Sequence, residues 1–192
     1  VAAVHGDQAS RGAIAMVQSV DGVYDVVKSL KSRVNIPIWI KLPGQTEDVS
    51  LLAKAAMDAG ADAVSFIDRT MAMVPNLETR APYLGTLAAI GGSWSLAVTC
   101  RWLARTRQQL GPEFSLIGTN GARDGHDVAR MLLSGASGVE MTTSVMLRGT
   151  DVIHQSIEQL DSYLASQDVK VCDIIGEATD KLTAYTDQAS RP

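Results

Sequence analysis

Apolar positions along the chain recur with two alternating periods. Between Asp21 and Arg33, Val23, Val26, Val27 and Leu30 return at helical spacing, with Asp21 as a capping residue. Ile36 to Leu42 (IPIWIKL) is instead a short apolar run rich in β-branched residues, which predicts a strand. The exchange then repeats: a helix over 47–59 stopped at Gly60, a strand over 61–67, a helix over 96–110 closed by Gly111-Pro112, a strand over 114–117, a helix over 125–134 and a strand over 138–141. Helices over 151–165 and 173–185 follow. Residues 1–20 show weak periodicity and read as a loop. Residues 68–92, punctuated by Gly and Pro, read as a long irregular loop of a length that is usually functional or partly disordered.

Near-continuously apolar strands alternating with helices four times argue for parallel strands covered on both faces. The expected class is α/β, either a doubly wound sheet or part of a (β/α)8 barrel. One domain over 1–192 is expected, with βα units over 21–170 and a C-terminal helix and tail over 171–192.

Composition narrows the partners. The 192 residues are 46% hydrophobic and 20% charged with a net charge of −4, so a nucleic-acid surface is not expected. No apolar stretch reaches the roughly 20 residues of a membrane span, and no signal-peptide pattern opens the chain. Cys100 and Cys172 lack metal-site spacing and read as reduced thiols, consistent with a cytoplasmic location. His5, His126 and His154 are scattered, so no metal site is expected.

Four stretches could carry chemistry. Gly118-Thr119-Asn120-Gly121 follows a strand and precedes a helix, and Thr142-Thr143-Ser144 ends the next strand. Small residues and free backbone donors there suit a phosphate, although two ordinary βα turns would look the same. Lys41 closes an apolar strand at its carboxyl end, where it could hold an electron-rich ring, form a Schiff base, or extend into solvent. Asp68 and Arg69 follow another buried strand and suit a polar ligand or a turn. Gly91-Gly92-Ser93-Trp94-Ser95 permits close backbone approach, with Ser95 as a helix cap and Trp94 as a core residue. Arg123, Asp124, His126 and Asp127 read as a solvated helix start, with Asp124 and Asp127 as a capping-box variant. Met71 and Met73 read as packing residues.

In order, these pieces resemble the FMN-dependent dihydroorotate dehydrogenases and the pyrimidine-reducing domain of dihydropyrimidine dehydrogenase. IPIWIKLPG is similar to the family strand ending in Lys-Leu-(Ser/Thr)-Pro, and GADAVSFIDRT to its GADG…Asn-Thr strand. GGSWSLAVTCRWLA resembles its Gly-Gly-x-Ser-Gly loop, and LIGTNGARDGHDVARMLLSGASGVEMTTSVM its phosphate loop and last strand. The likeness runs from about His5 to about Tyr185 and implies the C-terminal half of a (β/α)8 barrel, strands five to eight, with FMN as cofactor. It implies that Lys41, Gly92, Ser95, Thr119, Asn120, Gly121, Thr142 and Thr143 bind the cofactor and that Asp68 and Arg69 meet a small-molecule substrate. The implied reaction oxidises or reduces a carbon–carbon bond of a dihydropyrimidine- or dihydroorotate-like substrate. It also implies pyrimidine metabolism and an electron-transfer partner that these residues do not identify.

The chain departs from the family pattern in places. HGDQASRGAIAMVQ resembles the active-site loop, yet its proton-transfer position falls on Met16, a thioether that exchanges no proton; Ser10 or Ser19 would serve only in another register. Asp68 stands for an Asn, Trp94-Ser95 for Ser-Gly, and Asn120 for a Gly. Four strands do not close a barrel, so a fragment or a half that needs a partner subunit is expected. Two other readings stay open: a catalytically degenerate flavin-binding scaffold, and a phosphate-binding lyase with a Schiff base on Lys41.

Overall fold

The structure is a computed structural model and describes residues 19–184. Helix α1 (Val20–Lys31) is capped by Ser19, whose hydroxyl accepts from Gly22 N at 3.1 Å; Asp21, the expected cap, lies in the first turn. Strand β1 (Trp39–Lys41) follows, then α2 (Val49–Asp58), capped by Asp48, and β2 (Ala63–Phe66). After an arm come α3 (Leu96–Leu110), β5 (Leu116–Gly118), α4 (Gly125–Leu133) and β6 (Gly138–Val139). These four strands form one parallel sheet in the order β1-β2-β5-β6, and they place the carboxyl ends of all four strands along one rim. This is half of a (β/α)8 barrel.

The sequence pattern explains the layering. Every residue of β2 is buried, as an inner strand covered on both faces must be, and this is why its run reads as continuously apolar. Val23 and Val27 of α1, Leu52 and Ala56 of α2, and Leu103 of α3 pack with Val64, Phe66 and Leu116 in one core. Full burial of a side chain such as Leu or Phe contributes about 1.5–3 kcal/mol, so this shared core dominates the assembly of the helical layer on the sheet. Two ion pairs fix the layers laterally. Lys31 meets Asp62 at 2.9 Å, and Arg105 of α3 meets the α2 cap Asp48 at 2.6 Å.

Three elements differ from the sequence-based expectation. The stretch 68–92 is not irregular throughout: β3 (Thr70–Ala72) and β4 (Ala88–Ile90) pair antiparallel, and a further bridge joins Pro75 to Pro82. The alternation that would reveal these strands is absent because each has only three residues and neither is buried. The helix expected over 173–185 is two single turns, α7 (Val171–Ile174) and α8 (Glu177–Asp180), separated by an extended Ile175 and a Gly176 at φ +79°. A short helix, α5 (Thr143–Arg148), precedes α6 (Asp151–Gln167) and was not expected.

Candidate functional site

The rim formed by the strand ends carries one polar tier. Lys41 ends β1, Ser65 pairs with it in register on β2, Thr119 follows β5 and Glu140 follows β6. Lys41 Nζ donates to Glu140 Oε2 at 3.2 Å, and Ser65 Oγ donates to Glu140 Oε1 at 2.8 Å. Burial alone would raise the Glu140 carboxyl, but the Ser65 hydroxyl and the Lys41 ammonium outweigh it and hold it below the usual carboxylate range. Lys41 is therefore engaged as a cation rather than offered as a free amine.

Above this tier lies a cleft of about 960 Å3. Lys41, Asp68, Arg69, Gly92, Thr119, Asn120, Gly121, Thr142 and Thr143 all line it. Ser95, also expected there, does not. Its side chain is fully buried, caps no helix, and donates to Gly92 O at 2.6 Å, so it shapes the Gly92 turn from behind. Trp94, expected in the core, is 53% exposed and stacks beside Gly92 instead, because the turn of Ser93–Ser95 points it outward.

The loop after β5 is built for close approach. Asn120 takes φ +67° and Gly121 φ +124°, and a Cβ on Gly121 would meet the Leu96 backbone N and Cα at 2.6 Å. Only glycine lets this loop lie against the start of α3. Thr99 Oγ1 of α3 fastens it from below by donating to Thr119 O at 3.1 Å and Asn120 O at 2.8 Å. The Asn120 side chain reaches the other way, accepting from Gly92 N at 3.1 Å, so it joins the loop to the arm. Among the described residues, none accepts a hydrogen bond from the backbone N–H of Asn120, Gly121 or Thr142. All three residues line the same cleft as Thr143 of α5.

The helix after this loop is less solvated than its sequence implied. Asp124 caps α4, accepting from His126 N at 3.1 Å and Asp127 N at 3.0 Å. Asp127 is wholly buried, pairing with Arg123 at 2.8 Å and Arg130 at 2.9 Å. Burial pushes the Asp127 carboxyl up, but Arg123 and Arg130 win and hold it low. Asp127 also accepts from Arg123 N at 3.1 Å, which fixes the exit of the loop. Arg148 of α5 donates to Arg123 O, tying the two halves of the cleft wall together.

At the mouth, Asp68 Oδ1 accepts from Arg69 N at 2.8 Å, a local turn that still leaves both side chains lining the cleft. The Met16 position and the rest of its loop lie outside the described residues, as do His5 and Ser10. Sequence reasoning missed Ser65, Glu140 and Arg148. The first two had a signal, since each interrupts an apolar strand run (AVSF, GVEM) with a polar side chain.

Among the described residues, no group of His, Cys, Asp and Glu side chains is placed to hold a metal ion, and no helix is long and apolar enough to cross a membrane. The sequence profile of the family described as dihydroorotate dehydrogenase matches residues 8–164. The chain is 28% identical over 162 residues to the catalytic subunit of dihydroorotate dehydrogenase B (NAD(+)) from Methanocaldococcus jannaschii, covering 84% of this chain and 52% of that protein. It is 32% identical to the subunit of the same name from Saccharolobus solfataricus, covering 79% of this chain and 52% of that one. The ligand-free crystal structure of the dihydroorotate dehydrogenase of Eimeria tenella superposes with a TM-score of 0.72 at 18% identity, over 88% of this chain and 52% of that one. The chain thus spans about half the length of the curated relatives it matches. The half-barrel with its polar tier and glycine loop belongs to the dihydroorotate dehydrogenase family.

Proposed function

We propose that this half-barrel binds FMN in the cleft and serves an oxidoreductase acting on a carbon–carbon bond of a dihydroorotate- or dihydropyrimidine-like substrate. The carrying observation is that Lys41, Gly121 and Thr143, on three different strand ends, line one cleft. The donor set suits the cofactor's tail. The N–H groups of Asn120, Gly121 and Thr142, unpartnered among the described residues, match a phosphate group together with the Thr142 and Thr143 hydroxyls. FMN, when bound, would supply the hydride acceptor or donor for the carbon–carbon bond.

This chain's residues do the rest. Gly121, Thr142 and Thr143 bind the anionic tail, and the Lys41–Glu140 pair lies below the ring. Ser65 orients Glu140, and Asp68 and Arg69 receive the substrate at the mouth. As a carboxylate, Asp68 offers only acceptors, so a substrate group with N–H donors suits it better than orotate's carboxylate. Engagement of Lys41 by Glu140 weighs against the Schiff-base lyase. Relatives named as catalytic subunits support an electron partner on a separate chain.

The complete polypeptide, purified and acid-extracted, is expected to release FMN, and the apoprotein to bind FMN at least about tenfold more tightly than riboflavin, since charge-assisted hydrogen bonds contribute about 1.5–3 kcal/mol. Equal affinity for the two, or no flavin binding, refutes the proposal. A second reading rests on Met16, which exchanges no proton. On that reading the protein binds FMN as a scaffold, and dihydroorotate leaves the bound flavin oxidised under anaerobic mixing.

A further inference from the structure

The Glu140 carboxylate stands beside Lys41 at the floor of the cleft, where a neutral residue would have left the ammonium without an ionic partner among the described residues. Its two oxygens are both committed, to Lys41 at 3.2 Å and to Ser65 at 2.8 Å. The neighbouring strand ends of β1 and β2 therefore hold this carboxylate against the ammonium. Both groups are about a third exposed, each lines the cleft, and the pair has no net charge. A ligand resting on the tier meets a dipole instead of a cation.

We propose that Glu140 is a positioning residue that neutralises Lys41 and so tunes the cleft toward the neutral, oxidised form of its flavin over the anionic, reduced form. This rests on the FMN reading given above. The physics is that of a charge near a ring that gains electrons. An uncompensated ammonium stabilises the reduced ring, whereas a carboxylate at hydrogen-bond distance from that ammonium cancels most of its field. Binding and redox are linked, so the ratio of affinities for reduced and oxidised FMN is the quantity that Glu140 sets.

The test uses the complete polypeptide loaded with FMN and measures the midpoint potential of the bound flavin, with circular dichroism as a check on folding. Glu140→Gln keeps the acceptor for Ser65 and removes the charge. It is expected to raise the affinity for reduced over oxidised FMN about tenfold, which is about +30 mV for a two-electron couple. Lys41→Met is expected to move the potential the opposite way, and the double variant to return within about threefold of the parent ratio. Glu140→Asp, which keeps the charge, is expected to restore the parent potential. An unchanged or lowered potential in Glu140→Gln, or a Glu140→Asp shift as large as that of Glu140→Gln, overturns the proposal while leaving FMN binding intact. Where Glu140→Gln does not fold, Lys41→Met decides, since an unchanged or raised potential there overturns it equally. Failure of the parent to bind FMN would instead remove the reading beneath it, and the inference with it.

Discussion

Replacing Gly121 with alanine separates the two jobs of the loop after β5. The residue holds φ +124°, where an L side chain is strained, and strain of that kind costs about 1–3 kcal/mol. The new Cβ would also meet the Leu96 N and Cα at 2.6 Å, and backbone atoms at a helix start cannot swing aside as a side-chain tip can. Overpacking of that kind costs about 1–3 kcal/mol more. A total of about 3 kcal/mol lowers the melting temperature of a chain this size by about 6–12 °C. Gly149→Ala is the matched control, because Gly149 also has a positive φ, +78°, but nothing lies within 4 Å of its Cβ. It should lose only the strain part, about 1 kcal/mol, and keep its FMN affinity. Thermal melts followed by circular dichroism, with FMN titrations on the same samples, give both readings. The reasoning fails if Gly121→Ala melts no lower than Gly149→Ala and binds FMN as tightly as the parent.

Other expectations follow from the contacts around the cleft. Thr143→Ala should weaken FMN about tenfold or more in fluorescence titrations and leave riboflavin binding unchanged, as loss of one hydroxyl bond to an anion, about 1.5–3 kcal/mol, requires. Asp127→Asn should destabilise the protein by about 2–3 kcal/mol in urea unfolding, since it leaves Arg123 and Arg130 without their buried partner. Asp48, held at about 2 chiefly by the hydrogen bond from Arg105, gives an acid limb to the stability profile. Its folded pKa lies below the unfolded value of 3.8, so its contribution of about 1–2 kcal/mol is present above pH 3.8 and is lost as pH falls toward 2. In Arg105→Ala that part of the acid dependence should vanish, read from unfolding free energies across that window.

Much of the half-barrel was legible because long apolar periods survive local noise. The helix over 96–110 came out with the bounds it has, since Thr99, Trp102, Leu103 and Thr106 turn one stripe inward and Gly111 stops it. Strand ends were less legible. The apolar run from Ile36 to Leu42 suggested seven strand residues, but the strand covers only Trp39–Lys41: Pro37 carries no N–H to donate, and the Ile38 N–H is taken by the Asp62 side chain at 2.7 Å. Lys41, Asp68 and the glycine loop were found because unusual residues stood at strand tips. The partner that gives Lys41 its character was not, since Glu140 is 99 residues away and sequence periodicity carries no information on that pairing. Asp127 was misread for a related reason. A charged residue in a first helical turn is ordinarily solvated, and sequence periodicity does not show the pairing with Arg123 and Arg130 that satisfies Asp127 in its buried position.

The Lys41–Glu140 contact also reflects the shape of the sheet. β1 and β6 are the outer strands, with β2 and β5 between them. Strands lie about 4.8 Å apart, so on a flat sheet the two outer strands would stand about 14 Å apart with side chains parallel. An ammonium and a carboxylate on those strands would then point past each other. They meet at 3.2 Å because the sheet curls and its concave side chains converge. Curvature thus makes the polar tier possible, and the tier in turn resists flattening at the end of the sheet where the cleft opens. Removal of both charges at once should therefore affect more than redox balance. In Lys41→Met/Glu140→Gln the potential returns toward the parent value, but amide exchange at β6, whose two paired residues make it the weakest strand, should quicken relative to β2. Equal protection of β6 in the parent and the double variant would show that backbone packing alone sets the curl.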